Sequence, residues 1–304
     1  QPGMLVSPYQ NTSIEQSEWN CSMLRGGIVY SDFITTVSKS YAQEIQSPNF
    51  SDGLDDILKW RSNRLWGIIN GIDYKIWNPS KDIKIESNYN VATYKKGKAA
   101  NKKALQRRVG LKENENIFTI GVISRLTDQK GLDLIDGIMD QLCSREINLI
   151  VLGTGEKRYE DMFRFYANKY PSKVSANICY DDELSHQMYA GCDALLVPSA
   201  FEPCGLTQLI AQKYGTVPIV HEIGGLKDTV KPYNQFEQTG TGFSFNGYSP
   251  SLLMDRINHA LWVYYDRPKY WLELAKRDMK EDWSWANSSK TYEKLYDEAL
   301  ALNL

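Results

Sequence analysis

One glutamate and two cations define the chemistry this chain could do. Glu202 sits in the run Phe201-Glu202-Pro203-Cys204-Gly205-Leu206-Thr207-Gln208-Leu209, behind the apolar stretch Ala194-Leu195-Leu196-Val197-Pro198 and ahead of a helix-like segment ending near Tyr214. That order predicts a carboxylate beside the unpaired backbone N–H groups of a helix N-terminus, an acceptor and a set of donors for one polar ligand. A sugar attached to a phosphate suits such a corner. Arg125 and Lys130 belong to Ser124-Arg125-Leu126-Thr127-Asp128-Gln129-Lys130-Gly131, directly after a strand-like run at 117–123. In open α/β sheets ligands bind beyond the carboxyl ends of strands, where a chelating guanidinium and a point-charge ammonium can meet a diphosphate. A third motif, Gly224-Gly225-Leu226, also follows a strand-like run, and paired glycines let backbone N–H groups approach a phosphate closely.

Each motif has a plainer counterpart. An arginine and a lysine five residues apart are more often surface cations, but a strand end before them and a helix start at Gly131-Leu132 after them turn the reading toward a site. A lone Gly-Gly is explained equally well by a tight turn, so position after a strand is what favours function at Gly224 and Gly225. Gly153-Thr154-Gly155 resembles the start of a dinucleotide fingerprint whose third glycine would fall at Arg158, which counts against a dehydrogenase. His186, His221 and His259 lack metal-ligand spacing and read as structural hydrogen-bonding groups. The five cysteines, Cys21, Cys143, Cys179, Cys192 and Cys204, are odd in number without a CxxC pair, so neither a disulfide framework nor a zinc site is expected, and a reducing compartment is.

The elements that must position these groups alternate. Strand-like runs are expected at 33–37, 65–69, 117–123, 147–152, 194–197, 217–220 and 242–245, with helical patterns at 132–143, 159–168, 184–190 and 207–214. Ile-, Val- and Leu-rich strands each followed by a helix are the pattern of an α/β, doubly wound parallel sheet covered on both faces. The stretch 78–115 is polar and lysine-rich, and it reads as a solvated connector with a short helix at the boundary between a leading block and the main block. A net charge of −2 offers no bulk field for nucleic acid or an anionic membrane, so an anionic ligand must be held by local geometry. No apolar stretch approaches the roughly 18 to 20 residues that span a bilayer. The opening Gln1-Pro2-Gly3-Met4 reads as a cut inside a longer chain. The 19 tyrosines and 8 tryptophans could include sugar-stacking faces, although core filling is the expectation for most.

Further runs complete a pattern. Gly26-Gly27-Ile28-Val29-Tyr30-Ser31-Asp32, Thr35-Thr36-Val37-Ser38, Gly67-Ile68-Ile69-Asn70-Gly71-Ile72-Asp73, Tyr189-Ala190-Gly191, Gly242-Phe243-Ser244-Phe245 and Asp282-Trp283-Ser284-Trp285 join the three motifs above. Their order resembles that of the bacterial glycogen synthases and plant starch synthases over nearly the whole chain. The resemblance implies a GT-B fold of two Rossmann-like halves. Residues 1–70 would be the end of an acceptor-side N-terminal domain, 71–285 the donor domain, and 286–304 a helix returning to the first domain.

It further implies retaining transfer of glucose from ADP-glucose to an α-1,4-glucan, without metal or cofactor. Arg125 and Lys130 would neutralise the leaving ADP, Glu202 would accept from glucose hydroxyls, and Cys204, Gly205, Leu206 and Thr207 would hold sugar and diphosphate. Tyr180, at the end of a strand-like stretch at 174–179, matches the aromatic on which adenine stacks. The acceptor-side loop and histidine of the family lie upstream of Gln1, so an N-terminal domain is an expected partner and the chain alone is expected to be inactive. The protein would be cytoplasmic if bacterial and plastid-located if plant or algal. His221, Ile223 and Ala286 depart from the family pattern, and Ile210 stands where related families carry a second glutamate. A non-catalytic nucleotide-sugar or glucan-binding module therefore stands as the alternative to the synthase.

Overall fold

The computed structural model describes residues 22–302, so the readings made at Gln1 to Met4 and at Cys21 lie outside the described residues. A leading block holds α1 (Met23–Tyr30), β1 (Ile34–Thr36), α2 (Lys39–Glu44), α3 (Asp55–Trp60) and β2 (Leu65–Gly67). Next come α4 (Tyr94–Arg108), β3 (Phe118–Ile123), α5 (Leu132–Asp136), α6 (Met139–Cys143), β4 (Ile147–Leu152), α7 (Lys157–Lys169), β5 (Val174–Asn177) and α8 (Asp182–Gly191). The chain continues through β6 (Ala194–Val197), α9 (Thr207–Lys213), β7 (Val217–His221), α10 (Gly224–Thr229), β8 (Phe243–Phe245), α11 (Pro250–Asp266), α12 (Pro268–Asp278) and α13 (Trp285–Leu302).

The main sheet has six parallel strands in the order β5-β4-β3-β6-β7-β8. Winding therefore starts at β3, runs outward through β4 to β5, then crosses back and runs outward the other way. All six residues of β4 are buried, and they alternate between two apolar clusters: Ile147, Leu149 and Val151 on one face, Ile150 and Leu152 on the other. Burial on both faces is why these strands read as nearly continuous apolar runs. The leading block has a small core of its own around Ile28, Val29, Ile57 and Leu58, beside the parallel pair β1 and β2.

Two expectations are corrected. The helix expected over 132–143 is two short helices, because Gly137 ends α5 where a side chain would press on Pro250 at the start of α11. The stretch 78–115 is no solvated connector. Its centre is the 15-residue α4, which buries Tyr94, Gly97, Lys98, Asn101, Lys102, Leu105 and Gln106. The polar inner face is satisfied group by group. Lys102 Nζ pairs with Asp193 at 2.7 Å, and Asn101 Nδ2 donates to the Ser87 carbonyl at 2.7 Å. Lys98 Nζ donates to the carbonyls of Tyr189 and Tyr214 and to Thr216 Oγ1. Lysine stems pack like apolar chains while their heads find acceptors, which hides the helix from an apolar-periodicity search.

Burial pulls the Lys98 ammonium down from 10.5 to about 7, against the opposing pull of Asp193. A folded-state pKa below the unfolded one means the unfolded chain binds more protons between the two, so this group makes stability rise with pH from about 7 toward 10. Urea unfolding of wild type and Lys98→Met at pH 7 and at about pH 9 should show the wild type gaining on the variant as pH rises. A difference independent of pH would mean the buried ammonium titrates normally.

Candidate functional site

The return crossover puts β3 and β6 side by side as the two strands from which the chain winds in opposite directions. They share a short register, Ile120 with Ala194 and Gly121 with Leu195, and their following loops diverge around a crevice. The loop after β3 carries Arg125 and Lys130, and the loop after β6 carries Ser199 and Glu202.

Close backbone approaches hold both loops. Leu126 N donates to the Thr154 carbonyl at 2.9 Å, and added side chains would stand 1.9 Å from Ser124 O at Gly153 and 2.3 Å from Leu126 O at Gly155. Gly153 and Gly155 thus cradle the Arg125 loop. Gly131, at φ +68°, brings the start of α5 against Pro198, where a Cβ would lie 2.0 Å from the carbonyl oxygen. Ala200 N donates to Gln129 O at 2.9 Å, and Gln129 Nε2 donates to Phe201 O at 3.2 Å. The two loops are stitched together.

At their meeting point Lys130 Nζ lies 2.7 Å from Glu202 Oε2, which also accepts from Ser199 Oγ at 3.0 Å. The lysine and glutamate side chains are 17% and 11% exposed, so the pair is largely withdrawn from water. A cavity of about 220 Å³ opens beside it, and of the sequence-predicted residues Arg125, Lys130, Glu202, Gly205, Leu206 and Thr207 line it. Arg125 is exposed, its nearest polar neighbour Gln129 Oε1 at 3.5 Å. Gly205, at φ +72°, turns the chain into α9, whose first-turn amides have no intrahelical partner. The site thus sets an exposed guanidinium, a paired ammonium and carboxylate, and backbone donors around one small space.

Four predicted residues stand elsewhere. Cys204 is buried and absent from the cavity lining, and burial pushes its thiol up, away from nucleophilic use. Gly224 and Gly225 lie beneath the Glu202 loop. The Gly224 amide donates to Glu44 Oε1 at 2.8 Å and the Gly225 amide to the Glu202 carbonyl at 2.9 Å. Their missing side chains admit the Glu202 and Cys204 carbonyls, which added Cβ atoms would meet at 2.1 and 2.0 Å. Tyr180, 90% exposed, follows the edge strand β5, two strand spacings or about 10 Å from β3.

Two serines escaped sequence reasoning. Ser124 lines the cavity with a buried hydroxyl that has no partner among the described residues, and Ser199 steadies Glu202. His221 donates through Nδ1 to the Ser199 carbonyl at 2.8 Å and stacks on Phe245. Spacing carries no signal for the two serines. His221, which closes the strand beside β6, is a structural hydrogen-bonding group as its sequence context implies. Among the described residues no helix is long and apolar enough to cross a membrane.

A family model described as glycosyl transferases group 1 matches residues 101–276, more than half of the chain, and one described as starch synthase catalytic domain matches residues 4–60. The chain is 53% identical to glycogen synthase from Lachnospira eligens over 278 residues, 91% of this chain and 58% of that protein. It is 51% identical to glycogen synthase from Lachnoclostridium phytofermentans, with the same coverage of both. Among solved structures, the catalytic domain of starch synthase IV from Arabidopsis thaliana, bound to ADP and acarbose, matches with a TM-score of 0.86 at 33% identity, over 91% of this chain and 58% of that one. The chain therefore spans somewhat less than two thirds of the length of these relatives.

The ion pair separates two variants by their effect on folding. Lys130→Met strands the Glu202 carboxylate and should cost about 1–3 kcal/mol in urea unfolding, between the limits for surface and fully buried pairs. Arg125→Ala, which removes an exposed side chain, should stay within about 0.5 kcal/mol of wild type. Equal stabilities for the two variants would remove the pair as a fold-supporting contact.

Proposed function

Since this chain belongs to the group 1 glycosyl transferases and has the GT-B fold, we propose that it is the donor-binding half of an α-1,4-glucan synthase that takes glucose from ADP-glucose. One observation carries the proposal: Arg125, Lys130 and Glu202 surround a single cavity where the sheet reverses its winding. The similarity to glycogen synthases and to an ADP-bound starch synthase supports the choice of sugar and base.

In the proposed step the bond between the anomeric carbon and the ADP oxygen breaks, leaving negative charge on the diphosphate and an oxocarbenium-like glucose. Arg125 chelates phosphate oxygens, and Lys130 turns from Glu202 to the diphosphate as it arrives. That exchange frees Glu202 to accept from glucose hydroxyls, so one buried pair serves both ends of the donor. The amides of Gly205, Leu206 and Thr207 add fixed dipoles that meet developing charge without reorganising. Cations and dipoles placed where charge grows stabilise the transition state more than the bound donor. Arg125 and Lys130 supply this charge in the protein itself, and no cofactor enters the step. The acceptor hydroxyl of an α-1,4-glucan attacks from the face the diphosphate leaves and passes its proton to the departing diphosphate oxygen, with retention of configuration. The acceptor side is assigned to an N-terminal domain beyond this chain, and Tyr180 to the adenine. Gly224 and Gly225 act through packing under the Glu202 loop.

Calorimetry should find ADP binding to the chain more tightly than UDP, and Arg125→Ala should weaken ADP by about 1.5–3 kcal/mol, the range for a charged hydrogen bond. Unchanged affinity would overturn the diphosphate assignment. In Glu202→Gln, ADP should bind at least as tightly as in wild type, because Lys130 is released. Glucose transfer from ADP-glucose to glycogen by the full-length protein should fall by about 10- to 100-fold, the rate equivalent of one lost charged hydrogen bond. An unaffected rate would take Glu202 out of the site.

A further inference from the structure

A second cavity, of about 610 Å³, opens at the opposite end of the sheet, beside Glu115, Asn116 and Asp193, which lead into β3 and β6. Lys95, Lys98 and Lys102 reach it from α4 at the i, i+3 and i+7 positions of one helix face, and Lys269, Tyr264 and Trp271 reach it from α11 and α12. Two carboxylates share the lining, and both are taken. Asp193 pairs with Lys102 at 2.7 Å and accepts from Thr119 N at 2.8 Å, while Glu115 pairs with Lys103 at 2.7 Å. Among the described residues no carboxylate lies within ion-pair distance of Lys95, Lys98 or Lys269.

Lys98 is the telling member. It is 4% exposed, and its ammonium meets two carbonyls and a hydroxyl, all neutral. A buried cation among neutral dipoles is costly until an anion compensates it. Lys95 and Lys269, both exposed, stand at the rim where they can close on such an anion. The walls are aromatic: Tyr264 and Trp271 stand edge to face with centroids 5.4 Å apart, a surface suited to a ring.

We propose that this cavity binds a phosphomonoester carried on a ring. The phosphate dianion sits between Lys95 and Lys269 above Lys98, and the ring lies against Tyr264 and Trp271. A dianion matches the two rim ammonium groups and favours the charged form of Lys98 better than a single carboxylate does, and a cavity of this size holds a ring as well as a phosphate. The inference stands apart from the donor-site reading, since the two cavities share no lining residue.

The test is calorimetry with ribose 5-phosphate and AMP on wild type, Arg125→Ala and the rim variant Lys95→Met/Lys269→Met, whose changed residues are exposed and leave the fold intact. At least one probe should bind wild type and Arg125→Ala alike, and the rim variant at least tenfold more weakly. Tighter ribose 5-phosphate assigns the ring as a sugar, and tighter AMP as a base. Failure of both probes to bind wild type overturns the proposal. So does equal binding by the rim variant, or binding that disappears in Arg125→Ala.

Discussion

Everything at the candidate site depends on one reversal. The sheet winds outward from β3 in one direction and from β6 in the other, so the loops after these two strands have no helix between them and must face each other. The Lys130–Glu202 pair is the chemical expression of that constraint, a bond across 72 residues of sequence between groups that only the reversal makes neighbours. The pair also stores the site in a compact form. Each charge neutralises the other beside the cavity.

Glycine supplies the second requirement, which is closeness. Gly153, Gly155, Gly131, Gly224 and Gly225 all sit where a side chain would strike a carbonyl of a neighbouring loop, at calculated distances between 1.9 and 2.3 Å. None of these residues presents chemistry of its own. Together they let the neighbouring loops approach closely around the cavity, which helps hold a carboxylate and an ammonium in register.

Strands and charges were legible in the sequence, while packing contacts were not. β4 and β6 coincide with their apolar runs because both faces of the sheet are covered and one residue, Asn148 of β4, is all that is polar in the two strands. Arg125, Lys130 and Glu202 stood out because their residue types follow strand ends. α4 was hidden because its buried face is written in lysine, asparagine and glutamine, whose burial is explained only by the carbonyls and the Asp193 carboxylate that receive them. Gly153-Thr154-Gly155 was read against a dinucleotide template, whereas its work is to cradle Arg125's loop. Gly224 and Gly225 were assigned to a ligand because exposed amides and amides already taken by Glu44 and Glu202 look identical in sequence.

The leading block grips α10 at two points. Ser40 donates to Asp228 through both its backbone N–H and its hydroxyl, at 2.9 and 2.6 Å, and Glu44 receives the amide of Gly224. One residue further on, Gly225 holds the carbonyl of Glu202. The short α10 therefore ties α2 to the backbone of the Glu202 loop through a single helical turn.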